Sequence, residues 1–90
     1  MHEMSLIRDL MRKIETVSRG SGSGRVAGVK VRLGALSHLS AGHFREHFQQ
    51  ASRGTAAEGA ELEVEVMTDE SDPHAQDILL ESVRVVEDDS

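Results

Sequence analysis

The sequence has no cysteine, tryptophan or tyrosine, and Phe44 and Phe48 are its only phenylalanines. Without cysteine the chain cannot form disulfides, thiolate zinc ligands or thiol nucleophiles. The core must therefore consist mainly of Val, Leu, Ile and Met side chains. No apolar run reaches the ~20 residues of a membrane span, and the opening residues lack a signal-peptide pattern. We therefore expect a cytoplasmic protein without a membrane partner.

Charge is distributed unevenly along the 90 residues. Residues 1–54 contain nine Lys/Arg and four Asp/Glu, whereas residues 55–90 contain one and twelve, so the net charge is −6. The cations are scattered and lack interleaved aromatic residues, so nucleic acid is not an expected partner. We expect the two halves to pair with each other across a sheet instead.

Hydrophobic periodicity predicts one α+β domain over residues 1–90, with two helices packed on one face of a three-stranded mixed sheet. The expected order is helix, strand, helix, strand, strand, at residues 4–17, 26–33, 41–52, 61–67 and 78–86. A helical crossover predicts that the first two strands are parallel. The third strand is expected to pair antiparallel with the second strand after a short turn over residues 68–76. Residues 20–24 are expected to be a flexible connector, and residues 87–90 a frayed tail.

Within the predicted elements, Val29, Val31 and Leu33 should face the core, with Lys30 and Arg32 on the other face. The second strand has three glutamates that alternate with apolar residues: Glu61, Glu63 and Glu65. This alternation is typical of a strand face exposed to solvent, so we expect no catalytic role for these glutamates. These carboxylates are expected to oppose Lys30 and Arg32.

The opening residues Met1, His2 and Glu3 are the strongest candidates for chemistry. They provide an α-amine, an imidazole, two backbone nitrogens and a carboxylate. Planar nitrogen and oxygen donor sets are typical of Ni(II) or Cu(II) sites. The alternative is a terminal histidine without a function, and these residues alone leave both interpretations open.

The remaining histidines are weaker candidates. His43 and His47 are spaced i, i+4 on the second predicted helix, which can direct two imidazoles to one metal ion, although two surface histidines are the more frequent explanation. His38 becomes a candidate ligand if its turn folds back toward the amino terminus. His74 is expected to be exposed to solvent.

Several segments together resemble the HypA/HybF family of nickel chaperones. The opening Met1-His2-Glu3-Met4-Ser5-Leu6 is one such segment, and the run from Val29 to Ser37 follows a Val-x-Val-x-Ile-Gly-x-Leu-Ser pattern. Gly54-Thr55, the segment from Glu58 to Val64, and the segment from Asp77 to Val85 also match in order. The resemblance implies Ni(II) at Met1, His2 and Glu3, with His2 indispensable and Glu3 tuning geometry or docking to a partner.

One departure from the family pattern is large. The family carries two Cys-x-x-Cys pairs, forming a zinc module, between the second and closing strands, whereas this chain has no cysteine. We therefore expect a nickel-binding domain without zinc. The implied partners are nickel-enzyme maturation proteins, either a GTPase or a hydrogenase large subunit.

Two functional interpretations follow, and both exclude catalysis. The chain is either a metallochaperone-like accessory protein, or an interaction module that binds a maturation partner or itself as a homodimer without delivering metal. An enzyme is not expected, since no nucleophile arrangement, phosphate loop or two-carboxylate cleft is recognisable.

Overall fold

The computed structural model describes residues 2–20, 25–37 and 39–86, with side chains of the first range from residue 5 onward. The elements are α1 (His2–Gly20), β1 (Arg25–Leu33), α2 (Ala41–Ser52), β2 (Glu61–Val66) and β3 (Ile78–Val86). The predicted α+β class and element order are confirmed. The predicted connector at 20–24 is wrong at Gly20, which is the last residue of α1. The rest of that connector, and the predictions that concern Met1, His38 and the tail at 87–90, fall outside the described residues.

Helix α1 buries one apolar stripe and exposes its charged side. Four large apolar side chains of this helix are buried: Ile7, Leu10, Met11 and Ile14. Val17, the last residue of the predicted helix, is 41% exposed, because Ser18 faces the core in that turn. Ser18 is four residues after Ile14, so it continues the same helix face.

Helix α2 begins and ends as its sequence predicts. Ser40 is the N-cap, and its hydroxyl oxygen accepts a hydrogen bond from the backbone N–H of His43 at 3.1 Å. Phe44 and Phe48 are fully buried and fix the rotation of the helix against the core. After the C-cap residue Arg53, Gly54 adopts a φ of +76° and redirects the chain.

The three strands have the order β2-β1-β3, with β1 in the centre. Strands β1 and β2 are parallel, as predicted, and Val31 pairs with Val64. The prediction that β3 pairs with β2 is wrong, because β3 lies antiparallel to β1, where Ile78 pairs with Leu33. Strand β1 has the most buried side chains, which favours the central position, and the glutamate-rich β2 is better tolerated at an edge. Val66, at the end of that edge strand, is 49% exposed.

The connection over residues 67–77 follows from this strand order. It is not the expected hairpin turn, because it passes around the carboxyl end of β1 to reach the opposite edge of the sheet. The Met67 N–H donates to the Leu33 carbonyl at 2.8 Å, and the Gly34 N–H donates to the Asp77 carbonyl at 2.9 Å. The connection is therefore held against the end of the central strand.

Both helices lie on one face of the sheet, α2 over β2 and α1 over β3. The two helices run parallel. Late residues of α1 (Glu15, Ser18 and Arg19) line a cleft with residues 54–56, which follow the end of α2. Within the described ranges, neither helix has the length and apolar character to cross a membrane.

Candidate metal centre

The parallel helices give the domain a distinct end, which we call the helix-start end. It comprises the first turns of α1 and of α2, the turn over residues 34–40 and the connection over residues 67–77. Early residues of α1 (Leu6, Asp9, Leu10 and Lys13) line a cleft of about 290 Å³ with His74, Asp77, Ile78 and Leu79. The backbone N–H of Leu36 donates to the Ala75 carbonyl at 2.7 Å and joins the turn to the connection. Four chain segments therefore meet at this end.

The elements that carry four of the five histidines converge at the helix-start end. Position 2 opens α1, positions 43 and 47 lie in the first two turns of α2, and position 74 lies in the connection, whereas position 38 lies outside the described residues. These positions are spread over 73 residues of the sequence. The parallel arrangement of the two helices brings the elements that carry the histidines to the same end of the domain.

Of the opening triplet, the structure describes only the backbone of His2 and Glu3, where α1 begins. Met1 and the side chains of His2 and Glu3 lie outside the described residues. Because Leu6 and Asp9 of the next turns line the same cleft as His74, the backbone of His2 and Glu3 lies at the helix-start end.

The turn that contains His38 is packed against the core. Its neighbours Ser37 and Leu39 are buried, with 8% and 6% exposure. The Ser37 hydroxyl has no hydrogen-bond partner within the described ranges. His38 itself lies outside the described residues, so its candidacy as a ligand stays a prediction.

His43 and His47 are neighbours on the surface of α2. Their ring centroids are 6.1 Å apart and their planes are inclined by 45°. His43 is exposed and His47 is half-buried. The predicted i, i+4 proximity is therefore present.

His74 is exposed, as predicted, and has a carboxylate partner that the sequence reasoning did not anticipate. Its Nδ1 lies 3.1 Å from Asp77 Oδ2, and the Asp72 carboxylate accepts a hydrogen bond from the His74 backbone N–H at 2.8 Å. The only sequence signal for this pair was the i, i+3 spacing of His74 and Asp77. That spacing brings the two side chains together only if the connection curls around β1, which the sequence did not show.

The outer face of the sheet carries a ladder of ion pairs instead of a binding site. Lys30 Nζ lies 3.4 Å from Glu63 and 3.5 Å from Glu81. Arg32 Nε lies 3.6 Å from Glu65 and 3.0 Å from Glu81, the latter without hydrogen-bond geometry. These contacts confirm the predicted pairing of Lys30 and Arg32 with the β2 glutamates. Glu81, which the sequence reasoning missed, joins the ladder because a register shift places it opposite both cations.

Arg84 closes the same face at its other end. Its Nη2 donates to Glu61 Oε2 at 3.2 Å. The guanidinium crosses Gly28, where an added Cβ would stand 3.0 Å from Nη2. Around the groove of about 450 Å³ on this face, Lys30 therefore pairs with Glu63 and Arg84 with Glu61. Arg45, which also lines this groove, donates to the Leu62 carbonyl.

The described residues contain no group of three or more His, Asp or Glu side chains arranged to hold a metal ion. The fold is a small α+β domain whose described histidine-bearing elements meet at one end. The chain belongs to the HypA family: residues 1–72 match the family described as hydrogenase/urease nickel incorporation, metallochaperone. This match confirms the resemblance and the expectation that the chain is not an enzyme.

Relatives named hydrogenase maturation factor HypA are similar to this chain over its first three quarters. The protein of Methylocella silvestris is 39% identical over 70 residues, which cover 78% of this chain and 62% of the relative. The protein of Chlorobium limicola is 37% identical over 65 residues, covering 72% and 56%. The protein of Klebsiella pneumoniae is 38% identical over 64 residues, covering 71% and 56%. The matched part of the chain thus spans about 56–62% of these relatives.

Proposed function

We propose that this chain is a nickel-binding accessory protein that holds Ni(II) at Met1, His2 and Glu3. The observation that carries the proposal is the match to a nickel-incorporation family over residues 1–72, a range that includes the triplet. The amine, imidazole and backbone nitrogens supply the donor types that Ni(II) prefers, and the Glu3 carboxylate adds an oxygen. The proposal is supported by the position of the start of α1, which lies at the helix-start end near other histidine-bearing elements.

We propose further that the single domain 1–90 performs this binding without zinc. The chain has no cysteine, and residues 67–77, which join β2 to β3, wrap closely around the end of β1. The ion would pass by ligand exchange to a nickel-enzyme maturation protein in the cytoplasm, either a GTPase or a hydrogenase large subunit.

The test is a titration of Ni(II) into protein prepared with Met1 as its first residue and an unblocked amine, compared with His2→Ala. We expect one tight Ni(II) site that His2→Ala abolishes. His74→Ala is the matched control, because it removes an exposed histidine from the same end of the domain and should leave tight binding intact. Equal tight binding by the unsubstituted protein and His2→Ala would contradict the proposal.

The same titration can be repeated at acidic pH to test which donor atoms bind Ni(II). The imidazole and the amine bind metal only after losing their protons, so Ni(II) affinity should fall as the pH decreases. We expect tight binding at about pH 8 and its loss at about pH 5, where imidazoles are protonated. Affinity that does not change between these two values would exclude this donor set.

The strand order supports a second candidate, an interaction module that binds a maturation partner or forms a homodimer without delivering metal. Strands β2 and β3 each pair with β1 alone, which leaves two edges for pairing with another chain. On β2, Arg45 already donates to the Leu62 carbonyl at 2.8 Å. Size-exclusion chromatography with light scattering distinguishes a monomer from a homodimer. A strict monomer at all concentrations would count against pairing of two copies of the chain.

A further inference from the structure

We propose that His43 and His47 form a second site for a divalent transition-metal ion such as Ni(II), Cu(II) or Zn(II). This site is separate from the opening triplet and does not rest on the proposed function. Imidazole nitrogen is a preferred ligand of all three ions.

The two rings are already close to a chelating arrangement. Their centroids are 6.1 Å apart, on side chains four residues apart along α2. With metal–nitrogen bonds of about 2.1 Å, two rings that share one ion have centroids roughly 5 Å apart. Side-chain rotation of the exposed His43 can supply the difference of about 1 Å without moving the helix.

The backbone beneath the pair is well fixed. Phe44 and Phe48 alternate with the histidines along α2 and are fully buried. The N–H of His43 is bound by the Ser40 cap. Since the helix can neither rotate nor fray easily there, the two imidazoles remain neighbours, and little conformational entropy is lost when an ion binds.

The charges around the pair favour a cation. Arg45, the cation between the two histidines in sequence, lies about 160–200° around the helix from either of them. Its guanidinium is engaged with the Leu62 carbonyl at 2.8 Å, on the side of α2 that faces β2. Glu46 is adjacent in sequence and exposed, and the chain carries a net charge of −6. The nearest arginine in sequence is therefore directed away from an ion at the pair.

The segment from His43 to His47 also has the H-x-x-E-H spacing of one class of zinc hydrolases, in which the glutamate acts as a base. Catalytic zinc sites use three protein ligands. Within the described ranges no third His, Asp or Glu completes such a group. The pair is accordingly a site of two protein ligands whose remaining positions are filled by water, and it binds an ion without hydrolytic activity.

The test is isothermal titration calorimetry with nickel chloride on the His2→Ala chain, in which the opening triplet no longer contributes its imidazole. We expect one Ni(II) to bind this chain, more weakly than the unsubstituted protein binds Ni(II) at the triplet, because the pair supplies only two protein donors. Adding His43→Gln should weaken that binding about a hundredfold, because the second imidazole acts through the high effective concentration of a linked ligand. Adding His74→Gln, an exposed histidine without an i, i+4 histidine, should leave the affinity unchanged. Circular dichroism checks that each variant is folded.

A second measurement needs no substitution. Nuclear magnetic resonance should show the ring signals of His43 and His47 shifting or broadening together as nickel is added. Equal affinity with and without His43→Gln would overturn the proposal, and so would ring signals that respond independently. Because the calorimetry uses the His2→Ala chain, failure of this site and failure of the opening triplet are separate results.

Discussion

At the residue scale, Gly34 lies where the end of β1 contacts the connection that carries His74. It follows the last residue of β1, and the connection that carries His74 passes directly over it. A Cβ at this position would lie 2.6 Å from the His74 carbonyl oxygen and even closer to the backbone of Ala75. Only a residue without a side chain permits this approach, which explains why the Gly-x-Leu-Ser segment requires its glycine.

Gly34→Ala should therefore lower the free energy of unfolding by about 1–3 kcal/mol, since backbone atoms must move to relieve the overlap. Gly42→Ala is the matched control, because its added Cβ would meet nothing within 4 Å. Gly42 lies in α2, where alanine should stabilise the protein by about 0.5–1 kcal/mol. Urea denaturation measures both changes, and equal stability of the two variants would show that the connection does not pack as described.

Lys30 is the residue that links the ion-pair ladder to pH. Its polar contact with the Glu63 carboxylate raises the pKa of Lys30 above its ordinary value of 10.5, and the charge of Glu81 adds to this effect. Because the pKa is higher in the folded state than in the unfolded state, the stabilisation is complete below about pH 10.5 and is lost as the pH rises through the folded pKa.

Thermal unfolding should show this loss as a decrease in Tm as the pH rises above about 10.5, where Lys30 loses its proton in the folded state. Lys30→Met should show a smaller decrease than the unsubstituted protein. Lys13→Met, at an exposed position of α1, should retain the full decrease. If Lys30→Met and Lys13→Met showed the same decrease, Lys30 would not be the titrating group.

At the element scale, α2 is determined by local sequence signals. Ser40 caps it, and the four-residue spacing of Phe44 and Phe48 directs both rings into the core. Periodicity also gives α1, β1 and β2 within a few residues, because each has one clearly apolar face. These elements could be predicted because their signals lie within the elements themselves.

Ser40→Ala should cost about 1 kcal/mol of stability, because the N–H of His43 loses its acceptor at the helix start. Ser40→Asp should retain most of the stability, since a carboxylate accepts the same hydrogen bond and interacts favourably with the helix dipole. Chemical denaturation of the three proteins provides the comparison. Loss of stability in both variants would assign the effect to packing at position 40 rather than to capping.

Pairing between elements was harder to predict than the elements themselves. Adjacent strands in sequence usually form a hairpin, so β3 was expected beside β2. The strand order depends on which strand occupies the centre of the sheet, with a neighbour at each edge. The alternating sequence of β1 does not differ enough from that of β2 to show which strand that is. The ladder position of Glu81 depends on a register shift, which leaves no local sequence signal.

At the scale of the whole molecule, the two parallel helices direct their starting residues to one end of the sheet. Sequence reasoning gave four of the five histidines as possible ligands and expected His74 to be exposed. It could not show that positions as far apart as 2, 43 and 74 lie on elements that meet there. That convergence depends on the path of the connection over residues 67–77 and on the orientation of α1, both of which are long-range features. The chemistry proposed for the opening triplet is local, but its donor atoms alone left a metal site and a terminal histidine without a function as alternatives.

The most direct test of the central claim, that nickel binds at the helix-start end, is a map of backbone amide signals during a Ni(II) titration. The protein should begin at Met1 with an unblocked amine. We predict that the first shifts or broadening concentrate at Ser5 and Leu6, with smaller effects at the turn over 34–40 and the connection over 67–77. The amides around His43 and His47 should respond only at higher Ni(II) concentration. The segment over residues 53–60, at the opposite end of the domain, should not change. Signals that change first in that segment, or on the charged outer face of the sheet, would contradict the account.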